Sequence, residues 1–526
     1  MRKRYGLIAP LTAVALAAGL LGGCGVTGGS GDDDSIVLGM TDTVQSVDPA
    51  SGYDPGSWLV FNNVFQSLLS FPKGGGGPQP EAAERCGFRD SNSRVFSCTL
   101  REGLRFSNGN ELTSKDVKHS FDRTLAIDDP DGPAVMLQSL RKVSTPDELT
   151  AVFHLKKPDA TFPQKIASGA GSLVDHRVYP ADRLREDGDP VGSGVYTLES
   201  HDRQEAVFRT NPDYRGPAET DNSGVRMRFF EDQSKLRGAL VAKEIDLAYR
   251  GLATKDLAAF DDAGRSEFDD FKVVRGTSAE VHHLVFNLDH EQTSQRAVRE
   301  AVAHLLDRPA LTRDVYRRTT EPLYSVVPAG VTGHNTAFFD RYGERPQRGR
   351  AAAALRSAGI EGKAELTLWS TPVRYGPDTT RELRAVAGQL NASGLFDADV
   401  RVAELDRYEK GIAAGEYGVY VKGWVPDYPD ADNFTDPFFG EGNVLDNRYD
   451  AGRITAELLP RTARESRRAD TVEDFGAIQD QVARDLPILP VWQGRQYAVA
   501  QKDVTGVEWT LDASTVFRFW EIGRTG

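Results

Sequence analysis

The sequence predicts a mixed α/β or α+β fold spread over more than one domain. Three observations predict it. The 526 residues are several times an ordinary domain length. Apolar residues recur at helical spacing in some segments and as short strand-like runs in others, with no simple alternation between them. Hydrophobic residues make up 39% and charged residues 27%, the balance of a chain that buries ordinary cores. Charge narrows the function classes. Lys and Arg total 63 against 77 Asp and Glu, a formal charge of −14, which is the wrong sign for displacing phosphate counterions or holding anionic lipid. No nucleic-acid partner is therefore expected. Three cysteines exclude a disulfide-dense scaffold and a four-cysteine zinc site, and no cofactor or metal is expected.

The elements follow in order. Arg2, Lys3 and Arg4 precede a short apolar run, residues 6–21, and then Leu21-Gly22-Gly23-Cys24. A basic start, a short apolar stretch and small residues before a cut describe a secretory signal over 1–23; an uncut signal anchor is the competing reading. Leu21-Gly22-Gly23-Cys24 resembles the bacterial lipobox, which implies a lipid-bearing Cys24 as the mature N-terminus, followed by a polar leash over 24–35. No later stretch is long and apolar enough to cross a bilayer.

Export sets the expectation for the other two cysteines. Cys86 and Cys98 flank a turn-forming Asp90-Ser91-Asn92-Ser93, and folding there sets them opposite each other on a hairpin. A disulfide is predicted, the alternative being two buried thiols.

Residues 36–40 read as a buried strand and 57–70 as a helix, with Val60, Val64 and Leu68 at helical spacing. The glycines 74–77 mark a turn between that helix and the hairpin. Asn108-Gly109 is a tight-turn dipeptide, and Thr113 with Asp116 resembles a capping box for a helix burying Val117 and Phe121. Residues 145–155 suggest a turn and strand, and 190–208 a glycine-containing turn and hairpin. The clearest helix is 296–308, with Val298, Ala301, Val302 and Leu305 on one face. Another fits 379–392, with Leu383, Val386 and Leu390 on one side.

Motifs for catalysis are lacking. There is no HExxH and no Walker A pattern, and Ser193 lies in Gly192-Ser193-Gly194 rather than in a nucleophile elbow. No catalytic residue is assigned. Adjacent strand residues face opposite ways, so His282-His283 is a poor chelating pair and reads as one core and one surface histidine. Plentiful carboxylates leave a secreted lipoprotein hydrolase as an alternative.

An ordered set of segments carries a family resemblance. Ser46-Val47-Asp48-Pro49-Ala50 opens it. Thr99-Leu100-Arg101-Glu102-Gly103-Leu104-Arg105-Phe106-Ser107-Asn108-Gly109, followed by Leu112-Thr113-Ser114-Lys115-Asp116-Val117, is the most specific part. Val191-Gly192-Ser193-Gly194-Val195-Tyr196, Asn211-Pro212-Asp213-Tyr214, Phe286-Asn287, Asp307-Arg308, Gly423-Trp424 with Asp427-Tyr428, and Leu486-Pro487-Ile488 follow in register. Across about residues 36–510 the chain resembles solute-binding protein family 5, the dipeptide- and oligopeptide-binding components of bacterial ABC importers.

The resemblance implies a two-lobe clamp of the periplasmic-binding-protein kind with a hinge of two strands. One lobe is expected from 36–70, 181–286 and 500–526, an inserted subdomain from 71–180, and the second lobe from 287–499. It implies a monomer, lipid-anchored on the extracytoplasmic face, that captures peptides and passes them to permease subunits and their ATPases. Oligosaccharides or nickel complexes are alternative ligands within the fold, and peptide sensing without transport is an alternative role.

The resemblance also implies site residues. Asp427 matches the carboxylate that pairs with a peptide α-ammonium; the competing reading is a turn aspartate before Pro429. Gly423 and the loop at Tyr53 match the edges that receive peptide backbone, and Trp424 is a pocket wall or a core residue. Arg374 is a candidate for the α-carboxylate of a dipeptide, the planar guanidinium suiting both oxygens, or else a solvated loop residue.

Overall fold

The structure, a computed structural model, describes residues 34–262, 266–372, 374–376 and 378–525. The export segment 1–23, Cys24 and the leash up to residue 33 lie outside the described residues. No helix among the described residues is long and apolar enough to cross a membrane.

Two long strands organise the fold. Phe271–Phe286 and Ile488–Gln501 run antiparallel, from Phe271 opposite Gln501 to Val285 opposite Ile488. Their register shifts between Thr277 and Val281. On the Phe271 side of that shift, Leu247–Tyr249 pairs with the second long strand and Ile36–Met40 joins next, parallel to Leu247–Tyr249 and to Gly224–Phe229. On the other side, Val419–Trp424 pairs with the first long strand, and Ala364–Ser370 and Phe396–Val402 extend the sheet. The two long strands thus carry one eleven-stranded sheet from one half of the molecule to the other.

Each half has its own core. Ile36, Leu38, Phe61, Val64, Tyr196, Phe208 and Met227 pack with Phe517 and Phe519 from the C-terminal segment. Leu284, Val302, Leu368, Leu383, Val386, Leu390 and Ile478 belong to the other core. A separate four-stranded antiparallel sheet, built from Ala83–Phe88, Val95–Leu100, Leu140–Ser144 and Thr150–Leu155, has a third core over 68–173. Tyr428 and Val516 also pack into that core. The fold is a mixed α/β clamp of two lobes joined by the two long strands, with this small sheet as an added subdomain.

Local chemistry explains the element ends. Cys86 and Cys98 face each other across the first two strands of the small sheet and are joined by a disulfide. The helix Ser114–Ile127 begins where the Asp116 carboxylate accepts from the Thr113 N–H at 2.8 Å, and it buries Val117 and Phe121. Thr379–Ala392 is helical throughout, with Leu383, Val386 and Leu390 fully buried.

Four expectations need correction. The helix expected over 57–70 spans Pro55–Val64 only. Asp54 caps it by accepting from the Ser57 N–H at 2.9 Å, and Pro55 fits its first turn. It stops at Val64 because the Gly194 N–H donates to the Val64 carbonyl at 2.8 Å, an approach so close that a Cβ on Gly192 or Gly194 would strike that backbone. Leu69–Ser70 then pairs with Gln79–Pro80, so the glycines 74–77 close a small hairpin of their own rather than joining a helix to the disulfide hairpin. The helix expected over 296–308 is two, Arg296–Leu305 and Arg308–Asp314, because Asp307 caps the second by accepting from the Ala310 N–H.

The fourth correction concerns the histidines. His282 and His283 do face opposite sides of their strand, but both are buried, at 1% and 0% exposure, because the sheet is covered on both faces there. His282 stacks on Trp492 and His283 meets the edge of Phe438. Burial pushes the His283 imidazole down to about 3, with His282 adding to the shift.

Candidate functional site

The site begins with a buried aspartate that anchors a loop. Asp48 is 4% exposed, and the Arg123 guanidinium donates to both its oxygens at 2.7 and 2.6 Å. The N–H groups of Ala50 and Arg185 donate to the same carboxylate at 3.0 and 2.7 Å. These bonds tie residues 46–50 to the helix Ser114–Ile127 and fix the start of the loop that carries Tyr53. Gly52 in that loop has φ +90°, a conformation glycine adopts without strain.

Asp427 lies across from Tyr53, whose hydroxyl donates to Asp427 Oδ1. Asn433 Nδ2 donates to Asp427 Oδ2 at 3.2 Å, and Asn433 Oδ1 accepts from the Asp427 N–H at 3.1 Å and from Trp424 Nε1 at 2.9 Å. One asparagine therefore orients both the carboxylate and the indole. Burial raises the Asp427 acid above the usual carboxylate range, against the hydrogen bonds of Tyr53 and Asn433. Among the described residues no cation bonds this carboxylate. Lys165, on the same cavity wall, is instead paired with Asp159 at 2.8 Å.

Next to Asp427 is an open strand edge. Tyr408 Oη accepts from the Val421 N–H at 2.8 Å and donates to the Val421 carbonyl at 2.9 Å, so Val421 points its backbone away from the first long strand. Gly423, two residues on, points the same way. The neighbouring strand on that side reaches only Tyr420 in register, which leaves the Gly423 edge free for another strand. Tyr375 covers its Cα, and a Cβ on Gly423 would stand 3.0 Å from that ring.

These groups meet in one cavity of about 850 Å³. Tyr53, Arg374, Gly423, Trp424 and Asp427, the five ligand-binding residues expected from the sequence, all line it. Trp424 is half-buried, set edge-on to Phe438, and forms wall and packing at once. Arg374 stands exposed beside Tyr375, whose phenol burial pushes up to about 12. Arg250, Glu280, His282, Tyr375 and Asn433 also line or shape the cavity and were not singled out from sequence as site residues. Their sequence neighbourhoods carry no motif; only the pairing of distant strands brings them together.

One group of metal-ligand type occurs among the described residues, formed by Asp116, Asp175 and His176. Its oxygens are already taken by Asn108, Asn110, Arg177 and His176, which fasten the Asn108-Gly109 turn to the helix.

Comparison with known proteins agrees with this geometry. Residues 77–446 match the model of bacterial extracellular solute-binding proteins, family 5. The chain is 24% identical over 494 residues to the dipeptide-binding protein of Pseudomonas aeruginosa, covering 87% of this chain and 90% of that one. Its fold matches HbpA2 from Haemophilus parasuis with a TM-score of 0.81 at 19% identity, covering 94% of this chain and 100% of the other. It also matches DppA from Helicobacter pylori in complex with the peptide STSA, with a TM-score of 0.72 at 20% identity, covering 93% and 98%. A sheet shared between two lobes, an added small sheet and a family match over most of its length lead to one conclusion: the chain belongs to the family 5 bacterial extracellular solute-binding proteins.

Proposed function

We propose that this protein captures peptides between its two lobes and delivers them to an ABC import permease. The observation that carries the reading is the pairing, in one cavity, of a half-buried carboxylate bonded by no cation at Asp427 and an unpaired strand edge at Gly423. A peptide supplies the complement of both. Its α-ammonium neutralises Asp427, and its extended backbone adds to the edge as a strand. Trp424 and Tyr53 flank the first residue. Arg374 receives a carboxylate where the ligand is short enough to reach it. The relatives named for dipeptides and the relative solved with a peptide support this ligand class.

In the same reading the protein is a carrier and not a catalyst. Residues 36–70, 181–286 and 500–526 form one lobe, 71–180 the inserted subdomain and 287–499 the second lobe. Cleavage after Gly23 and lipid on Cys24 hold a monomer at the extracytoplasmic membrane face, within reach of permease and ATPase subunits.

The test is thermal unfolding of the purified protein with di-, tri- and longer peptides, each beside its N-acetylated twin. A ligand that binds only the native state raises the midpoint. Free peptides are expected to raise it and acetylated twins to fail, and Asp427→Asn is expected to remove the difference. If no peptide shifts the midpoint, the ligand class is wrong, and oligosaccharides and metal complexes become the next panel.

A further inference from the structure

The ligand cavity has a neck. Glu280, Tyr375 and Gly376 line both the main cavity and a second compartment of about 560 Å³ beyond it. Glu280 lies in the first long strand, where its register with the second shifts between Thr277 and Val281. Facing it, the second long strand carries Gly494. A Cβ there would stand 3.2 Å from Glu280 Oε2 and 3.4 Å from Glu280 Cβ, so the glutamate side chain lies over bare backbone.

The two groups that act on Glu280 by charge have other partners. Arg250 and His282 lie near enough to act on Glu280, and neither hydrogen-bonds it. Arg250 is paired with Asp42, and His282 Nδ1 lies 3.2 Å from Glu382 Oε2. Glu382 is buried and also accepts from Tyr316 Oη at 2.5 Å and Trp492 Nε1 at 2.7 Å. Across the second compartment Arg495 is paired with Glu321. Glu280 is left over: its backbone N–H donates to Ser278 Oγ at 3.1 Å, while its carboxylate has no hydrogen bond or ion pair among the described residues. Burial pushes its acid up. A half-buried carboxylate without donors, facing the cavity, is complemented by a cation that enters with the ligand.

We infer that Glu280 is a second acidic anchor of the cleft, selecting peptides whose basic side chain reaches the neck. The inference rests on the peptide reading of the same cavity and narrows it. Asp427 takes the α-ammonium common to all peptides, and Glu280 discriminates among side chains. Specificity then comes from a charge that a neutral side chain of the same length leaves unmet.

Calorimetric titration of the protein with tripeptides carrying one lysine, at each position in turn, tests this against twins with norleucine in place of lysine. The norleucine chain is similarly long and lacks the ammonium. At least one lysine peptide is expected to bind about thirtyfold tighter than its twin, the size of a buried charge pair against an unpaired partner. In Glu280→Gln that ratio is expected to fall close to one. Equal affinities for every lysine and norleucine pair in the unsubstituted protein overturn the inference while leaving peptide capture standing. A preference that persists in Glu280→Gln assigns it to another carboxylate and overturns it as well. Failure of all the tripeptides to bind removes the peptide reading and this inference together.

Discussion

At the scale of single residues, the cavity depends on charges that are solved inside the protein and charges that are left open. Asp48 is solved: Arg123 meets it with two bonds, and two backbone N–H groups complete it. Removing one member of such a pair strands the other in a dry place. Asp48→Ala is therefore expected to cost about 3–5 kcal/mol of stability, read as a lower urea midpoint. An unchanged midpoint contradicts the idea that this pair holds the Tyr53 loop. Asp427 is open by contrast. Its hydrogen bonds come from the uncharged Tyr53 and Asn433, which orient the carboxylate without neutralising it. Asn433 shows how one side chain couples recognition groups, since its carbonyl oxygen takes both the Trp424 indole and the Asp427 N–H.

At the scale of elements, the small four-stranded sheet is the part most dependent on a covalent tie. Its first strand, Ala83–Phe88, is largely exposed along its length and pairs on one side only, with Val95–Leu100. The Cys86–Cys98 bridge closes a short loop of sequence separation 12 across this edge pair. Replacing both cysteines with alanine is expected to lower stability by about 2–3 kcal/mol, from restored unfolded-chain entropy. Hydrogen exchange should show the loss concentrated in residues 83–100 and leave the two long strands protected. Uniform loss of protection would mean that this sheet does not open independently of the rest. The long strands behave differently: they pair with each other along most of their length and are flanked by further strands over part of it, and they hold the two lobes through a register shift that also places Glu280.

At the scale of the whole molecule, acid stability reports a histidine buried in the first long strand, which joins the two lobes. His283 is fully buried, and its imidazole is held down to about 3 against an ordinary value near 6.5. The unfolded chain therefore binds a proton at His283 that the folded protein refuses between those values. Its contribution to stability is complete above pH 6.5 and is lost as the pH falls toward 3, at up to about 1.4 kcal/mol per pH unit. Urea midpoints measured from pH 7 to pH 4 are expected to fall less steeply in His283→Phe than in the unsubstituted protein. Parallel slopes would place the acid sensitivity elsewhere.

Much was legible in the sequence because it is local. Helical spacing marks Thr379–Ala392, the Thr113–Asp116 spacing marks a helix start, and Asn108-Gly109 marks a turn, each set by neighbours a few residues apart. The ordered family segments led to Asp427, Trp424, Gly423, Arg374 and Tyr53, and the structure gathers all five on one cavity. What failed was whatever distant packing decides. The first helix ends at Val64 because a loop 130 residues later takes its carbonyl. His282 and His283 are both buried because the sheet is covered on both faces there, where alternation alone assigns one of them to solvent. Glu280 has no motif around it, and its place at the neck follows from a register shift between strands more than 200 residues apart. By itself, the sequence determined the class of fold, the family and the chemistry carried by each segment, since propensity, capping and turn geometry act within a few residues. Only the tertiary structure decided which charges find partners and which are left facing the ligand, because charge pairing and burial depend on strands that meet from opposite ends of the chain.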